Sequence, residues 1–337
     1  MIENIIEKLT QKNDLAAQEI QSVFHQIMSG KLSKDEIVAF LIALRDKGET
    51  PEEIAAAAGV MREFSTKIEN VKGIAVDTCG TGGDKSNTFN ISTVSAFVVA
   101  GAGLKVAKHG NRSVSSKCGS ADLLEALGVN ISASAETVAK CINEIGIGFL
   151  FARNFHPAMK HAAPARKEIS TRTIFNILGP LTNPADTKHQ LLGVYDGNLL
   201  VAIATALKNL GLTHAMVVHG LDGLDEVTTT AATSVCELKN DQIQSYEVFP
   251  ENFGIKRALM EDLKGADVED NVAIANEILE GKESAKRDIV VLNAGCALYV
   301  GDKAKDIKEG VELAQQSIDS GNAKKKLELL RDLTQKN

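Results

Sequence analysis

The chain has 337 residues, enough for one large domain or two of unequal size. Apolar residues make up 44% and charged residues 24%, which excludes intrinsic disorder, a collagen-like repeat and a disulfide-stapled mini-fold. The formal net charge of −7 leaves no global basic footprint for a nucleic-acid backbone, although a local cationic pocket for a phosphorylated small molecule remains open.

The chain starts with Glu3 and Glu7 on an amphipathic stretch, unlike the basic start and apolar centre of a signal peptide. Ile2, Ile5, Ile6 and Leu9 recur at helical spacing, and a second helical stretch runs over residues 14–30. Ser33 with Glu36 makes a capping box ahead of the stripe Ile37, Phe40, Leu41 and Leu44. Thr50, Pro51 and Glu53 open a fourth helix. Four helices in succession predict a small helical domain over residues 1–70.

From Gly73 strands alternate with helices. Residues 74–76 predict a strand ending in a glycine-rich loop over 77–84, followed by a helix from about Ser92 and a strand over 104–107. Further strands are expected at 146–151, 190–195, 215–218, 234–238, 245–248 and 288–292, with helices at 121–127 and 136–145. This is the pattern of an α/β domain over 71–337 with a mainly parallel sheet, whose ligand site falls at the carboxyl ends of the strands. The apolar run over 95–104 is too short to span a bilayer. Five cysteines, odd in number and without a CxxC pair, point to reduced thiols and a cytoplasmic protein. Lys324, Lys325 and Lys326 are expected on a solvated helix face.

Two loops carry the chemistry. Residues 77–93 read DTCGTGGDKSNTFNIST. Glycines between a strand and a helix offer backbone N–H groups and a helix dipole to a phosphate. The segment is neither a Walker A loop, since Asp84 precedes Lys85-Ser86, nor a dinucleotide fingerprint. Asp84 suits a sugar hydroxyl, an amine or a metal-bound water; the glycines could also make no more than a tight turn. Ser92 fits either a helix cap or a magnesium ligand. Lys108, His109, Gly110, Asn111 and Arg112, with Ser113, Ser115 and Ser116, then bring anion donors together around a glycine, as in a phosphate or diphosphate site. Asp225-Glu226, after a predicted strand, fits an acidic turn or a magnesium site. Arg166 could fork onto a carboxylate or lie on the surface, and His156 reads as structural.

Taken in order, GTGGD at 80–84, NxST at 90–93, KHGNRxxSS at 108–116, NFHPAM at 154–159, PAR at 164–166, NxLGPLxNP at 176–184 and the DE pair at 225–226 closely resemble the anthranilate phosphoribosyltransferases of tryptophan biosynthesis. The resemblance implies transfer of a 5-phosphoribosyl group from phosphoribosyl diphosphate to the amine of anthranilate, with magnesium (two ions). It implies that Gly80, Gly83, Asp84, Thr88, Asn90, Ile91, Ser92 and Thr93 contact the donor. Lys108, His109, Gly110, Asn111, Arg112, Ser113, Val114, Ser115, Ser116 and Ser120 are to do likewise. Gly80, Asn111 and Arg166 are to contact anthranilate, and Ser92, Asp225 and Glu226 to hold magnesium. Lys108, His109 and Arg112 are the expected catalytic residues. The helical domain is to take a contribution from residues 171–185 and to form a homodimer. Lys85 departs from the family, where a glycine or another small residue often follows the GTGGD aspartate. A pyrimidine nucleoside phosphorylase and a non-catalytic nucleic-acid-binding relative are the alternatives. The acidic net charge and the intact Ser92, Asp225 and Glu226 disfavour the second.

Overall fold

The structure is a computed structural model and describes residues 2–113 and 117–335. Four helices come first: α1 (Ile2–Thr10), α2 (Ala17–Met28), α3 (Lys34–Lys47) and α4 (Pro51–Glu63). The capping boxes form as the sequence predicts. Ser33 and Glu36 exchange hydrogen bonds at the start of α3, and Thr50 and Glu53 do so at the start of α4. Ile37, Phe40, Leu41 and Leu44 of α3 are buried in the core of these helices, with the Phe40 ring 6.3 Å from that of Phe24 on α2.

The rest of the chain runs β1 (Ala75–Gly80), α5 (Ile91–Gly101), β2 (Lys105–Gly110), α6 (Ser120–Ala126), α7 (Ala135–Glu144) and β3 (Ile147–Phe151). Short helices α8 (Ala152–Phe155), α9 (Ala163–Glu168) and α10 (Phe175–Leu178) follow. Then come β4 (His189–Gly193), α11 (Leu200–Asn209), β5 (His214–Gly220), β6 (Thr233–Lys239) and β7 (Gln242–Val248). The chain closes with α12 (Val268–Leu279), α13 (Ala285–Val300), α14 (Ile307–Asp319) and α15 (Asn322–Gln335). No helix among the described residues is long and apolar enough to cross a membrane.

Seven strands form one sheet in the order β3-β2-β1-β4-β5-β6-β7, parallel from β3 to β5, with β6 and β7 antiparallel at the far edge. Its parallel strands are buried on both faces, as parallel strands require, while the edge strand β7 is largely exposed. Leu191, Met216 and Val218 face the core made with α5, α13, α14 and α15. Leu192, Ala215 and Val217 face the opposite way, into a core continuous with the N-terminal helices. Ile174, Phe175, Ile177, Leu178 and Leu181 sit in that second core, where the Phe175 ring lies 5.6 Å from that of Phe24.

One expected strand is wrong: residues 288–292 lie inside α13. Its residues Ile289–Leu298 are buried on every side, so no polar stripe reveals the helical period. The signal that decides it is the Ser284 cap, whose hydroxyl accepts the Arg287 N–H at 3.2 Å. Two loops also start later than expected. β1 continues to Gly80 and β2 to Gly110, so Lys108 and His109 are buried strand residues. On α15, Lys324 pairs with Glu280 and Lys326 donates to the Ile145 carbonyl, leaving Lys325 as the exposed member of the predicted solvated face.

Candidate active site

β1 and β2 pair at Ala75↔Lys105 and Val76↔Val106, and there their mutual ladder stops. Each strand nevertheless continues against its outer neighbour, β1 with β4 as far as Gly80↔Gly193 and β2 with β3 as far as Gly110↔Phe151. The sheet therefore forks at the carboxyl ends of its two central strands. Lys108 spans the fork: its ammonium donates to the Thr78 carbonyl on β1 and to Ser92 Oγ, 3.3 Å away, on the first turn of α5. Burial lowers the Lys108 pKa, while the charges of Asp77 and Glu226 work against that shift.

The acidic pair closes the site from the β5 side. Asp225 Oδ2 accepts the Gly82 N–H at 2.7 Å, and Glu226 Oε1 accepts the Ser92 N–H at 3.2 Å. Gly80 and Gly193 make room for this approach. A Cβ on Gly193 would stand 1.6 Å from the Asp225 carbonyl oxygen, and one on Gly80 would stand 2.5 Å from Asp225 Oδ2. Asn293, buried on α13, fixes the next residue by bonding both the N–H and the carbonyl of Val227, at 2.9 and 2.8 Å. Burial, then the nearby charges of Asp84 and Glu226, push the Asp225 carboxyl well above its ordinary pKa. Burial likewise raises Glu226 to about 7, with Lys108 opposing and Asp84 adding to the shift. A divalent cation relieves such crowding, and the oxygen donors Ser92, Asp225 and Glu226 are of the hard type magnesium takes.

The basic segment divides in two. His109 is 5% exposed and lies beside His156, ring centroids 5.1 Å apart. Burial, and next the neighbouring His156, lower its pKa to about 3, against a hydrogen bond to the Gly179 backbone. Burial, with Lys67 next, brings His156 to about 4, against a hydrogen bond to the Thr182 backbone. Both rings are neutral at pH 7, and Nε2 of each is buried without a hydrogen-bond partner among the described residues. Arg112 is differently employed. It pairs with Asp122 at 2.6 Å and Glu125 at 2.8 Å on α6, so helix acids already neutralise its charge. Asp122 also accepts the N–H groups of Ser113 and Gly119, at 3.2 and 2.9 Å, and Ser120 Oγ donates to the Asn111 carbonyl at 3.1 Å. These contacts fold the loop back on itself. Val114, Ser115 and Ser116 lie outside the described residues.

Among the remaining predicted residues, Asn90 is held by Asn271 of α12, whose Oδ1 accepts its backbone N–H at 3.0 Å and its side-chain amide at 3.1 Å. Thr93 Oγ1, in the first turn of α5, is buried and has no hydrogen-bond partner among the described residues. Ile91 is buried in the core and its N–H donates to the Phe89 carbonyl at 2.8 Å, so the structure gives it no group turned toward a ligand. Asp84 turns onto Ser86, accepting the N–H at 3.2 Å and the hydroxyl at 2.6 Å, and Ser86 contacts the Thr88 hydroxyl at 3.3 Å. Gly83 takes a hydrogen bond on its carbonyl from Arg172, whose guanidinium stacks 3.4 Å from the Tyr195 ring centroid. Lys85 has φ +63°, which accounts for glycine being the easier residue there. Arg166 on α9 is exposed and lies 5.3 Å from the Phe175 ring centroid, with no carboxylate partner among the described residues.

Sequence reasoning missed Asn271, Asn293, Asp77 and Asn183, because each is a buried amide or acid remote in sequence from its partner. Only the NP at 183–184 carried a signal, as part of a motif to which no role was attached. Away from the fork, His189, His214 and Asp302 come close enough to suggest a metal site. Their atoms are otherwise engaged, however. His189 Nδ1 lies 2.7 Å from the Val300 carbonyl, and His214 lies between Glu237 at 2.8 Å and Asp302 at 3.2 Å.

Known proteins place this arrangement. A model described as the glycosyl transferase family a/b domain matches residues 72–324, and one for the helical bundle domain of that family matches residues 3–65. An anthranilate phosphoribosyltransferase of Acetivibrio thermocellus is 53% identical over 334 residues, covering 99% of this chain and 97% of its own. One from Desulfosudis oleivorans is 53% identical over 338 residues, covering 100% of both. The Thermus thermophilus anthranilate phosphoribosyltransferase structure superposes with a TM-score of 0.94 at 43% identity, over 98% of this chain and 99% of its own. The Saccharomyces cerevisiae enzyme in complex with PRPP and Mg gives 0.92 at 28% identity, over 100% of this chain and 98% of its own. With the forked sheet, the acidic pair and full-length identity of this order, the chain belongs to the anthranilate phosphoribosyltransferases of the glycosyl transferase family.

Proposed function

We propose that the forked end of the sheet binds phosphoribosyl diphosphate with magnesium and brings anthranilate to it. The chain transfers the 5-phosphoribosyl group from that donor to the amine of anthranilate, releasing diphosphate, in the second step of tryptophan biosynthesis. The observation that carries the site assignment is the meeting of four separate segments at one place: the glycine turn, the start of α5, the end of β2 and the acidic pair.

In this reading the glycine-turn N–H groups, the first turn of α5 and the loop after β2 cradle the donor's phosphates. Ser92, Asp225 and Glu226 would hold magnesium, which would supply positive charge to the diphosphate; two ions are our proposal for the count. Lys108 adds its ammonium on the opposite side of the fork. The carbon–oxygen bond to diphosphate breaks, the anthranilate nitrogen forms the new bond to the same carbon, and the proton shed by nitrogen passes to the departing phosphate or to water. An aryl amine is neutral at pH 7, so no strong base is needed. With a pKa of about 3, His109 is a hydrogen-bond acceptor and not a proton carrier: its bare Nε2 takes an amine N–H and aims the lone pair. Arg166 receives the carboxylate of anthranilate. Arg112 must leave Asp122 and Glu125 before it can reach a phosphate, so its part is conditional on that rearrangement.

We place the chain in the cytoplasm as a homodimer formed through the helical domain, over residues 1–70 with 171–185. The support for the compartment is the absence of a disulfide among the described residues. Light scattering on the purified protein tests the assembly.

The deciding experiment is loss of anthranilate fluorescence on mixing with phosphoribosyl diphosphate, with and without magnesium. A magnesium-dependent fall that stops when either substrate runs out is expected. No fall, with inorganic phosphate and a pyrimidine nucleoside converted instead, would return the assignment to the phosphorylase alternative.

A further inference from the structure

The reaction outlined above makes no use of two side chains buried beneath the fork. Asp77 on β1 is 0% exposed and Asn183, in the segment before β4, is 3% exposed. Asp77 Oδ1 accepts the His109 N–H at 3.1 Å, and its Oδ2 accepts one amide proton of Asn183 at 2.8 Å. The other contact of that amide is with the Ala107 carbonyl, also at 2.8 Å, while Asn183 Oδ1 accepts the Ala185 N–H at 2.9 Å. Both polar atoms of the Asn183 side chain are therefore satisfied inside the protein.

The two backbone groups captured here, the Ala107 carbonyl and the His109 N–H, belong to one edge of β2. Its other edge is occupied by β3 through the pairs Ala107↔Gly148 and His109↔Leu150. In an unbroken parallel ladder both groups would bond the backbone of β1, but that ladder ends at Val76↔Val106. A carboxylate and an amide have replaced it. Continuing the ladder would satisfy the same backbone groups without burying a carboxylate, which is unfavourable by itself. Their use marks a place where the spacing between strands matters.

We infer that Asp77 and Asn183 form a spacer that holds β1 and β2 apart, at the width where Lys108 spans the gap and the His109 ring faces the acceptor amine. They are positioning residues, and the functional half of this inference rests on the transferase reading above. The spacer also anchors the turn that carries Gly179 and Thr182, whose backbone groups meet the His109 and His156 rings. Gln190 ties the same turn down by donating to the Pro180 carbonyl at 2.7 Å. The NP of the sequence motif thereby acquires a physical role.

The test uses the full chain with Asn183→Ala and Asp77→Asn, the second keeping side-chain volume should the first fold poorly. Ser317→Ala serves as control, since its buried hydroxyl donates to the Val98 carbonyl at 2.7 Å and takes no part in the fork. Two readouts are taken: hydrogen exchange at the His109 amide without ligands, and steady-state kinetics. Exchange of that amide is expected to quicken by at least about tenfold in Asn183→Ala and to stay unchanged in the control. Displacing a reacting group by about 1 Å costs on the order of 100-fold, so kcat of Asn183→Ala should fall by roughly that factor. The KM for phosphoribosyl diphosphate should shift by less than about threefold. Asp77→Asn should lower kcat by roughly tenfold, having lost one of two acceptors. Unchanged His109 protection in both variants overturns the spacer. A kcat loss no greater than that of Ser317→Ala overturns the positioning role. If the wild type consumes no anthranilate, the transferase reading fails instead, and the ligand-free exchange result still decides for or against the spacer.

Discussion

Gly193→Ala offers a direct test of the acidic pair, because the obstacle it creates is backbone. Gly193 ends β4, and a methyl group there would lie 1.6 Å from the Asp225 carbonyl oxygen and 2.3 Å from its carbon. Real Cβ contacts essentially never fall below 3.0 Å. The Asp225 peptide must therefore withdraw by more than about 1 Å, a displacement that costs on the order of 100-fold in a positioned site. Forced overpacking itself destabilises by about 1–3 kcal/mol. Gly80→Ala is the milder partner, since its nearest obstacle is the Asp225 carboxylate at 2.5 Å, which can rotate. Gly59→Ala, in open space on α4, should leave catalysis alone and stabilise the helix by about 0.5–1 kcal/mol. Initial rates followed by anthranilate fluorescence across a magnesium titration should give half-saturation shifts in the order Gly193→Ala, Gly80→Ala, Gly59→Ala. A folded Gly193→Ala protein with the wild-type magnesium dependence would refute the assignment of Asp225 to the metal.

Arg166→Ala should raise the KM for anthranilate by at least about tenfold while kcat stays within about twofold, because the carboxylate keeps its charge through the reaction and a contact to it is uniform binding. Steady-state kinetics with both substrates varied would expose an unchanged KM, which would return Arg166 to the surface. Lys85→Gly should relieve a left-handed backbone at φ +63°, worth about 1 kcal/mol, and slow hydrogen exchange across residues 82–88. Faster exchange there would show that the lysine side chain stabilises the turn. Burial holds His109 at about 3 and His156 at about 4, below the ordinary histidine value of 6.5. The unfolded chain thus binds protons that the folded chain refuses, and stability is lost as pH falls below 6.5 toward those values. Urea unfolding at pH 7 and pH 5 should show each ring contributing a loss of about 2 kcal/mol, and His156→Asn should remove one such share. An identical acid slope in the variant would mean that His156 is charged in the native protein.

How far the sequence could be read follows from how each feature is encoded. The N-terminal helices were legible because Ser33–Glu36 and Thr50–Glu53 advertise their starts and a polar face alternates with the stripe of α3. α13 was not, since its buried run carries no period. The glycine and basic segments were legible as concentrations of unusual residues, yet their division into strand and loop was not. Lys108 and His109 look like loop charges until β2 is seen to continue beneath them to Gly110. Arg112 looked like a free cation because its partners, Asp122 and Glu125, read as ordinary helix acids. Asp77 and Asn183 were invisible as a pair, since 106 residues separate them and only the sheet brings them together.

The charge arrangement of the fork explains why magnesium and donor belong to one design. Asp84, Asp225 and Glu226 crowd the site, since the charge of Asp84 raises the pKa of both its neighbours and that of Glu226 raises Asp225, while Lys108 is the cation that bears on Glu226. Arg112 does not offset them, being matched already by Asp122 and Glu125. A diphosphate entering alone would meet acids whose ionised forms repel it, and the raised pKa values of Asp225 and Glu226 show how unfavourable those forms are without a cation. In the proposed reading, a cation held by Ser92, Asp225 and Glu226 would reverse that field at the place the acids define, and Lys108 would meet the phosphates from the opposite side. Such a site needs no histidine base. The neutral rings of His109 and His156 suit an amine acceptor that arrives uncharged, and their burial keeps them from adding positive charge where the amine must give up a lone pair. On the proposed reading the fork would separate two tasks in space, with charge managed between β1, α5 and the acidic pair and the nucleophile oriented by the neutral edge of β2.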